Sequence, residues 1–216
     1  MTLLEQLVRS PRLPQMVKEM KDVLAAERPR RRKFFHELRE DQKAEFINGE
    51  VVVHSPARLE HTDASGLLLA FIQAYVNHHN LGWVGCEKVL VSLTRNDYEP
   101  DICYFNSAKS ATFKPQQMRF PAPDLIVEVL SPSTERNDRT IKFEDYATHG
   151  VDEYWIVDPR KRTVEQYLLS GDEYEQEFKG RAGKIKSRAI RGMEISVRAI
   201  FDAKENLRAI GEILRG

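Results

Sequence analysis

The 216-residue chain has only two cysteines, Cys86 and Cys103, too few for a disulfide framework, and each falls in a segment of strand character. That usage makes the reducing cytoplasm the expected compartment. No apolar run approaches the roughly 20 residues that a membrane span needs. The start, MTLLEQLVRSPRLPQ, lacks the basic-then-apolar pattern of a signal peptide. Net charge is missing as well, since 33 Lys and Arg balance 33 Asp and Glu. Many nucleic-acid binders are strongly basic, so this balance counts mildly against a DNA or RNA partner, although it leaves room for a local basic groove. Internal repeats and low-complexity stretches are absent. What remains is the composition of a soluble globular protein, 31% charged and 41% hydrophobic, long enough to bury a real core.

Residues 2–27 read as two short helices split by Ser10-Pro11-Arg12-Leu13-Pro14, with Val17, Met20, Val23 and Leu24 at helical spacing on the second. The run Arg28-Pro29-Arg30-Arg31-Arg32-Lys33 follows. A basic cluster can touch phosphates, but one this short is more often a solvated linker, which is the expectation here. Residues 1–40 are therefore predicted as a helical extension and 41–216 as the domain proper.

Lys43–Ile47 and Glu50–His54 flank Asn48-Gly49, a dipeptide that favours a type I′ hairpin because both residues tolerate positive φ. Glu45 points opposite to Ala44 and Phe46 and, as an isolated strand glutamate, is expected to be exposed. Ala64, Leu67, Leu68, Phe71 and Tyr75 mark a helix over 61–80. His61 at its start is a packed or capping histidine on the plain reading, and a phosphate donor at a site's rim on the functional one. Lys88–Leu93 reads as a strand that returns through Thr94–Asp97 into a strand starting at Asp101, which places the two in one sheet. Ser107–Phe120 reads as loop. Tyr154–Val157 is a further strand, Thr163–Leu169 pairs with Tyr174–Phe178, Ile185–Val197 is partly strand-like, and Leu207–Leu214 is helical.

The informative stretch is Pro121–Pro159. Its apolar run Leu125–Leu130, bounded by proline and serine, suits a strand buried on both faces, yet Glu128 interrupts it. A buried lone carboxylate is costly unless it is paired or holds a cation. Asp101 is a second acid at a strand start, and Lys142 sits on the helix candidate Asp138–Tyr146. Each has a plainer reading: Asp138 and Lys142 make an ordinary i, i+4 pair, Asp101 could be a strand-start residue, and Asp124 a turn or strand-entry residue. Two acids on neighbouring strands with a lysine nearby nevertheless point to a metal-dependent phosphodiesterase. Hydrolysing a phosphodiester needs a cation on the phosphate, an activated water and charge neutralisation, and magnesium suits carboxylate ligands. A lysine two residues after Glu128 would share its face, but Leu130 stands there. The positive charge must come from elsewhere, and Lys142 is placed to reach back over the strand end.

Glu99-Pro100-Asp101, Pro123-Asp124-Leu125-Ile126-Val127-Glu128-Val129-Leu130-Ser131-Pro132-Ser133-Thr134, then Asp138, Lys142 and Tyr146, then Gly150-Val151-Asp152-Glu153-Tyr154-Trp155 closely resemble the Uma2 family of the PD-(D/E)XK nuclease superfamily. The likeness is collinear over roughly Lys43–Leu169 and includes Asn48-Gly49-Glu50 and His61. It implies an α/β, restriction endonuclease-like fold with a central mixed β-sheet flanked by α-helices. It assigns metal binding to Asp101 and Glu128, with a backbone carbonyl near Val129 as a further ligand. The superfamily lysine passes to Lys142, as in members where that residue has moved to a neighbouring helix. Glu45 matches an extra acid supplied by an N-terminal element, His61 assists, and Asp138 and Tyr146 stand at supporting family positions.

The expected function is that of a Mg²⁺- or Mn²⁺-dependent endonuclease acting on DNA, with a homodimer through the N-terminal helices as the arrangement that cuts both strands. Two rivals remain: a non-catalytic nucleic-acid- or protein-binding member of the same fold, and a metal hydrolase of another phosphoester.

Overall fold

The computed structural model describes residues 2–39 and 41–215. In chain order it runs α1 (Leu3–Val8), α2 (Leu13–Glu37), β1 (Ala44–Ile47), β2 (Glu50–Val53), α3 (Leu59–His78), β3 (Gly82–Cys86), β4 (Leu90–Ser92), β5 (Asp97–Tyr98) and β6 (Ile102–Asn106). It continues through α4 (Ser107–Ser110), β7 (Arg119–Phe120), β8 (Leu125–Val129), α5 (Glu135–Arg139), α6 (Ile141–Thr148), β9 (Glu153–Asp158), β10 (Thr163–Ser170) and β11 (Glu173–Gly180). The last elements are β12 (Lys184–Lys186), β13 (Glu194–Ser196), α7 (Val197–Phe201) and α8 (Ala203–Ile213).

The central sheet is mixed, in the order β11-β10-β9-β8-β6-β3, with β8 and β9 parallel and the other pairs antiparallel. Strand β8 is buried along its whole length, as a continuous apolar run requires. Its alternation divides the core. Leu125, Val127 and Val129 pack with Leu68, Phe71, Ile72 and Val76 of α3 and with α7. Ile126 and Leu130 face the other way, against Tyr146 of α6 and against Ile47, Val91 and Tyr98 of a second sheet. That sheet, β2-β1-β5-β4-β7, includes the Asn48-Gly49 hairpin, whose φ values of 50° and 88° are those the turn demands. Glu128 lies on the second face, between the two sheets. The restriction endonuclease-like fold follows: a mixed sheet flanked by helices on one side and by the hairpin sheet and α6 on the other.

Several expectations are corrected. Strands β4 and β5 do pair, but the strand beginning after Asp101 does not join their sheet; β6 lies between β3 and β8. Glu99-Pro100-Asp101 is where the chain crosses from one sheet to the other, which sets Asp101 at the seam. The loop expected over 107–120 contains α4 and β7. The helix carrying Asp138 and Lys142 is broken at Thr140, whose φ and ψ of −127° and −86° lie outside the helical region.

The N-terminal split at Ser10–Pro14 is real, but the second helix does not end at residue 27. It runs through the basic cluster to Glu37 with Pro29 inside it. Arg31 explains why the cluster is no solvated linker. Its guanidinium donates to both carboxylate oxygens of Asp97, at 2.6 and 2.8 Å, and to the carbonyls of Leu93, Thr94 and Asn96. Arg95 returns the contact with a two-pronged pair to Glu27. These bonds pin the end of α2 to the β4–β5 turn, whereas Val17, Met20, Val23 and Leu24 remain exposed. Arg31→Ala is expected to cost about 2–3 kcal/mol, since charge-assisted bonds contribute about 1.5–3 kcal/mol and Asp97 would be left buried without its partner. Urea denaturation measures it; a loss within experimental error would mean that the clamp contributes nothing to stability.

Candidate active site

A pocket of about 270 Å³ opens where β6, β8, the hairpin and the start of α3 meet, and Lys43, His54, Arg58, His61, Asp101, Glu128, the Ser131–Thr134 turn and Lys142 line it. Asp101 and Glu128, expected from neighbouring strands, do converge here. Both are nearly enclosed, each 3% exposed.

Asp101 is held from three directions. Its Oδ2 accepts the Val129 backbone N–H at 2.8 Å and lies 3.2 Å from His61 Nε2. Its Oδ1 accepts Lys43 Nζ at 2.7 Å. Burial works against its ionisation, but His61 and Lys43 more than offset that and hold the carboxyl well below its usual range. Burial would lower the His61 imidazole, yet the Asp101 bond and charge raise it. His61 thus lines the pocket against Asp101, and Arg58, not His61, is the N-cap of α3.

Glu128 belongs to a second cluster, built around Lys142. The Lys142 ammonium, 2% exposed, lies 2.9 Å from Glu45 Oε1, 3.0 Å from Glu128 Oε1 and 3.1 Å from Asp138 Oδ1. Burial opposes its charge, but the three carboxylates raise its pKa well above the ordinary lysine value. One ammonium cannot satisfy three carboxylates equally. Glu45 has further support, because His54 Nε2 lies 2.9 Å from its Oε2 and the Glu99 N–H donates to its Oε1. Burial would raise it, yet Lys142 and His54 hold it down at about 2. Among the described residues Glu128 has Lys142 and the Tyr146 hydroxyl, at 2.9 Å, both on Oε1. Burial, together with the charges of Asp138, Asp101 and Glu45, outweighs Lys142 and pushes it up to about 8. Asp138 is buried with neither oxygen hydrogen-bonded among the described residues, so the 3.1 Å approach to Lys142 is a charge contact. Negative charge is therefore in surplus around Glu128.

All five expected site residues are at or beside this pocket. Glu45, expected to be exposed, is instead fully buried, because its face of β1 is covered by α6. Lys43 and His54 were not singled out from the sequence. The hairpin held the signal: Lys43 stands two residues before Glu45, on its side of the strand, and His54, whose N–H donates to the Lys43 carbonyl, is its cross-strand neighbour. Asp124 has the plain role expected at a strand entry, accepting from Asn106 and pairing with Lys109.

Among the described residues no three His, Cys, Asp or Glu side chains close into a ready-made metal cage. The donor set still fits magnesium or manganese. Magnesium takes one or two carboxylates and completes its shell with water and substrate phosphate. Asp101 and Glu128 line one pocket, and among the described residues the hydrogen bonds to Glu128 fall on Oε1. The surplus negative charge is the electrostatic setting a cation relieves.

Among known proteins, the chain is 27% identical over 133 residues to the uncharacterized protein sll1609 of Synechocystis sp., covering 61% of this chain and 75% of that one. It is 30% identical over 146 residues to the uncharacterized protein slr1290 of the same organism, covering 63% and 71%. The fold matches a crystal structure described as a "putative nuclease belonging to DUF820" from Anabaena variabilis, with a TM-score of 0.67 at 21% identity over 77% of this chain and 94% of that one. Residues 32–198 match the family model described as "Uma2: Putative restriction endonuclease", a span that includes every residue of the pocket. The chain belongs to the Uma2 family.

Proposed function

We propose that this protein is a Mg²⁺- or Mn²⁺-dependent endonuclease that hydrolyses DNA phosphodiester bonds. The observation that carries the reading is the convergence of Asp101 and Glu128 in one pocket whose remaining charged lining, Lys43, Arg58, His61 and Lys142, is cationic or able to become so. Carboxylates bind the metal and cations meet the phosphate, which is the division of labour that phosphodiester hydrolysis needs.

Asp101 and Glu128 hold the cation in this scheme. When bound, it polarises the phosphoryl oxygen and lowers the pKa of a water. His61 and the Val129 N–H both fix the Asp101 carboxylate through Oδ2. Lys142 anchors Glu128 through Oε1 and offsets the negative charge that Glu45 and Asp138 bring beside it. Glu45 acts through Lys142, holding the ammonium on the β1 side. Arg58 and the hydroxyls of Ser131, Ser133 and Thr134 line the mouth, where a phosphate backbone would lie. Affinity for DNA then falls steeply with salt, as phosphate contacts release counterions.

The test is cleavage of supercoiled plasmid with Mg²⁺ or Mn²⁺, wild type beside Glu128→Gln. Nicking by the wild type that chelator and Glu128→Gln both abolish is the expected result. Metal binding without cleavage would move the substrate to another phosphoester. Neither metal binding nor cleavage would leave a binding protein on a nuclease fold.

A further inference from the structure

The two oxygens of Asp101 are not equivalent. Oδ2 receives the Val129 N–H and faces His61. Oδ1 has one partner among the described residues, the Lys43 ammonium at 2.7 Å. A carboxylate that already accepts a backbone N–H and faces an imidazole on one oxygen offers the other to a metal, and Lys43 occupies it. Resting on the metal-dependent reading above, we propose that Lys43 is the resident counter-cation of Asp101 in the metal-free protein, leaves Oδ1 when a divalent cation binds, and then contacts the substrate phosphate.

The contrast between the two lysines supports this division. Lys142 is enclosed and held by three carboxylates. Lys43 has one ion-pair partner among the described residues, and its side chain is 25% exposed. A lysine is a compact charge on a flexible four-carbon stem, so one exchangeable bond is all that holds it on Asp101. An ammonium and a divalent cation on the same oxygen repel each other strongly in a pocket of low dielectric. The two occupants therefore exclude one another, and the displaced ammonium remains in the pocket with Arg58 and the Ser131–Thr134 turn. Anything that draws Lys43 off Asp101 must tighten the metal, and the metal must in turn favour whatever holds Lys43 away, because linkage is reciprocal. A phosphate is such a group. Metal and DNA then bind cooperatively through one side chain.

Calorimetric titration with Mn²⁺ alone, at neutral pH, tests the exchange in the full-length wild type, Lys43→Gln and Arg58→Gln. Arg58 lines the same pocket without touching Asp101, so its variant measures the general effect of removing a positive charge. Lys43→Gln is expected to bind Mn²⁺ about fivefold or more tightly than wild type, and Arg58→Gln to differ by less than about twofold, being an exposed and screened charge. In the wild type, peptide-resolved acetylation with acetic anhydride should label Lys43 several times faster once Mn²⁺ is added, a readout that needs no variant to fold. Affinity in Lys43→Gln that is unchanged or weaker, or Lys43 labelling indifferent to Mn²⁺, would overturn the exchange while leaving the metal site in place. No Mn²⁺ binding by wild type or Lys43→Gln would overturn the metal-dependent reading, and this one with it.

Discussion

Lys142→Met is expected to cost about 3–5 kcal/mol of folding stability, the range for stripping one partner from a buried ionic group. Methionine keeps most of the length and shape of the lysine stem, so the change removes charge with little change in packing. What it leaves behind decides the magnitude. Glu45, Glu128 and Asp138 are each no more than 3% exposed, and Lys142 is the cation that all three share. Without it, each must ionise in a medium that disfavours charge or take up a proton.

The second route fixes the sign of a pH effect. In the variant, Glu45 loses the ammonium that helps hold it at about 2 and rises, while Glu128 and Asp138, already raised in the wild type, rise further above their unfolded values. The folded state then binds more protons than the unfolded state, so the deficit relative to wild type shrinks as pH falls from neutrality toward 5 and grows as pH rises. Urea denaturation across that range measures both. A deficit below about 1 kcal/mol, the range of exposed pairs, would show that the cluster is hydrated and that Lys142 is not its keystone. Neutralising the carboxylates in the same background, as Glu45→Gln with Asp138→Asn, should recover part of the loss.

How much of this was legible beforehand follows from the range of the forces involved. The Asn48-Gly49 turn, the stripe of α3 and the alternation of β8 are local, and each element stands where its periodicity puts it. Glu128 was readable for the same reason: a carboxylate in a doubly buried strand demands a partner wherever it occurs. The identity of that partner was half readable, because Lys142 follows on the next helix. Glu45 shows the limit. Alternation gave its face of β1 but not what covers that face, and α6 (Ile141–Thr148) lies far along the chain from β1 (Ala44–Ile47). Lys43 and Arg31 fail on the same ground. Their carboxylate partners lie 58 and 66 residues on, so each looks like one more surface cation until the sheets are assembled. The seam at Glu99-Pro100-Asp101 was misread because the Lys88–Leu93 strand does turn back, but onto the two-residue β5, Asp97–Tyr98, and not onto the strand after Asp101, and nothing local says that this next strand changes sheets.

Asp101→Asn should separate chemistry from stability, in the opposite sense to Lys142→Met. Asparagine retains an oxygen for the Val129 N–H, now made at 2.8 Å, and the shape of the side chain. It removes the charge that Lys43 and His61 pair with and that the proposed cation would require. Loss of Mn²⁺ binding and a fall in plasmid cleavage of about a thousandfold or more are expected, several kcal/mol of transition-state stabilisation being what a catalytic metal supplies. The folding cost should stay near 1–2 kcal/mol, because the groups left unpaired are not sealed in. The side chains of Lys43 and His61 are 25% and 13% exposed and line an open pocket, so water can take up what Asp101 gives up. Of the carboxylates around Lys142, Glu128 shares that pocket, whereas Glu45 and Asp138 do not line it and are 0% and 1% exposed. Two buried ionic groups of similar composition thus divide by their access to solvent, one positioned to exchange its cation and the other to hold the sheets together. A stability loss in Asp101→Asn equal to that of Lys142→Met, or cleavage that survives it, would mean that the division is wrong and that the reacting site lies elsewhere.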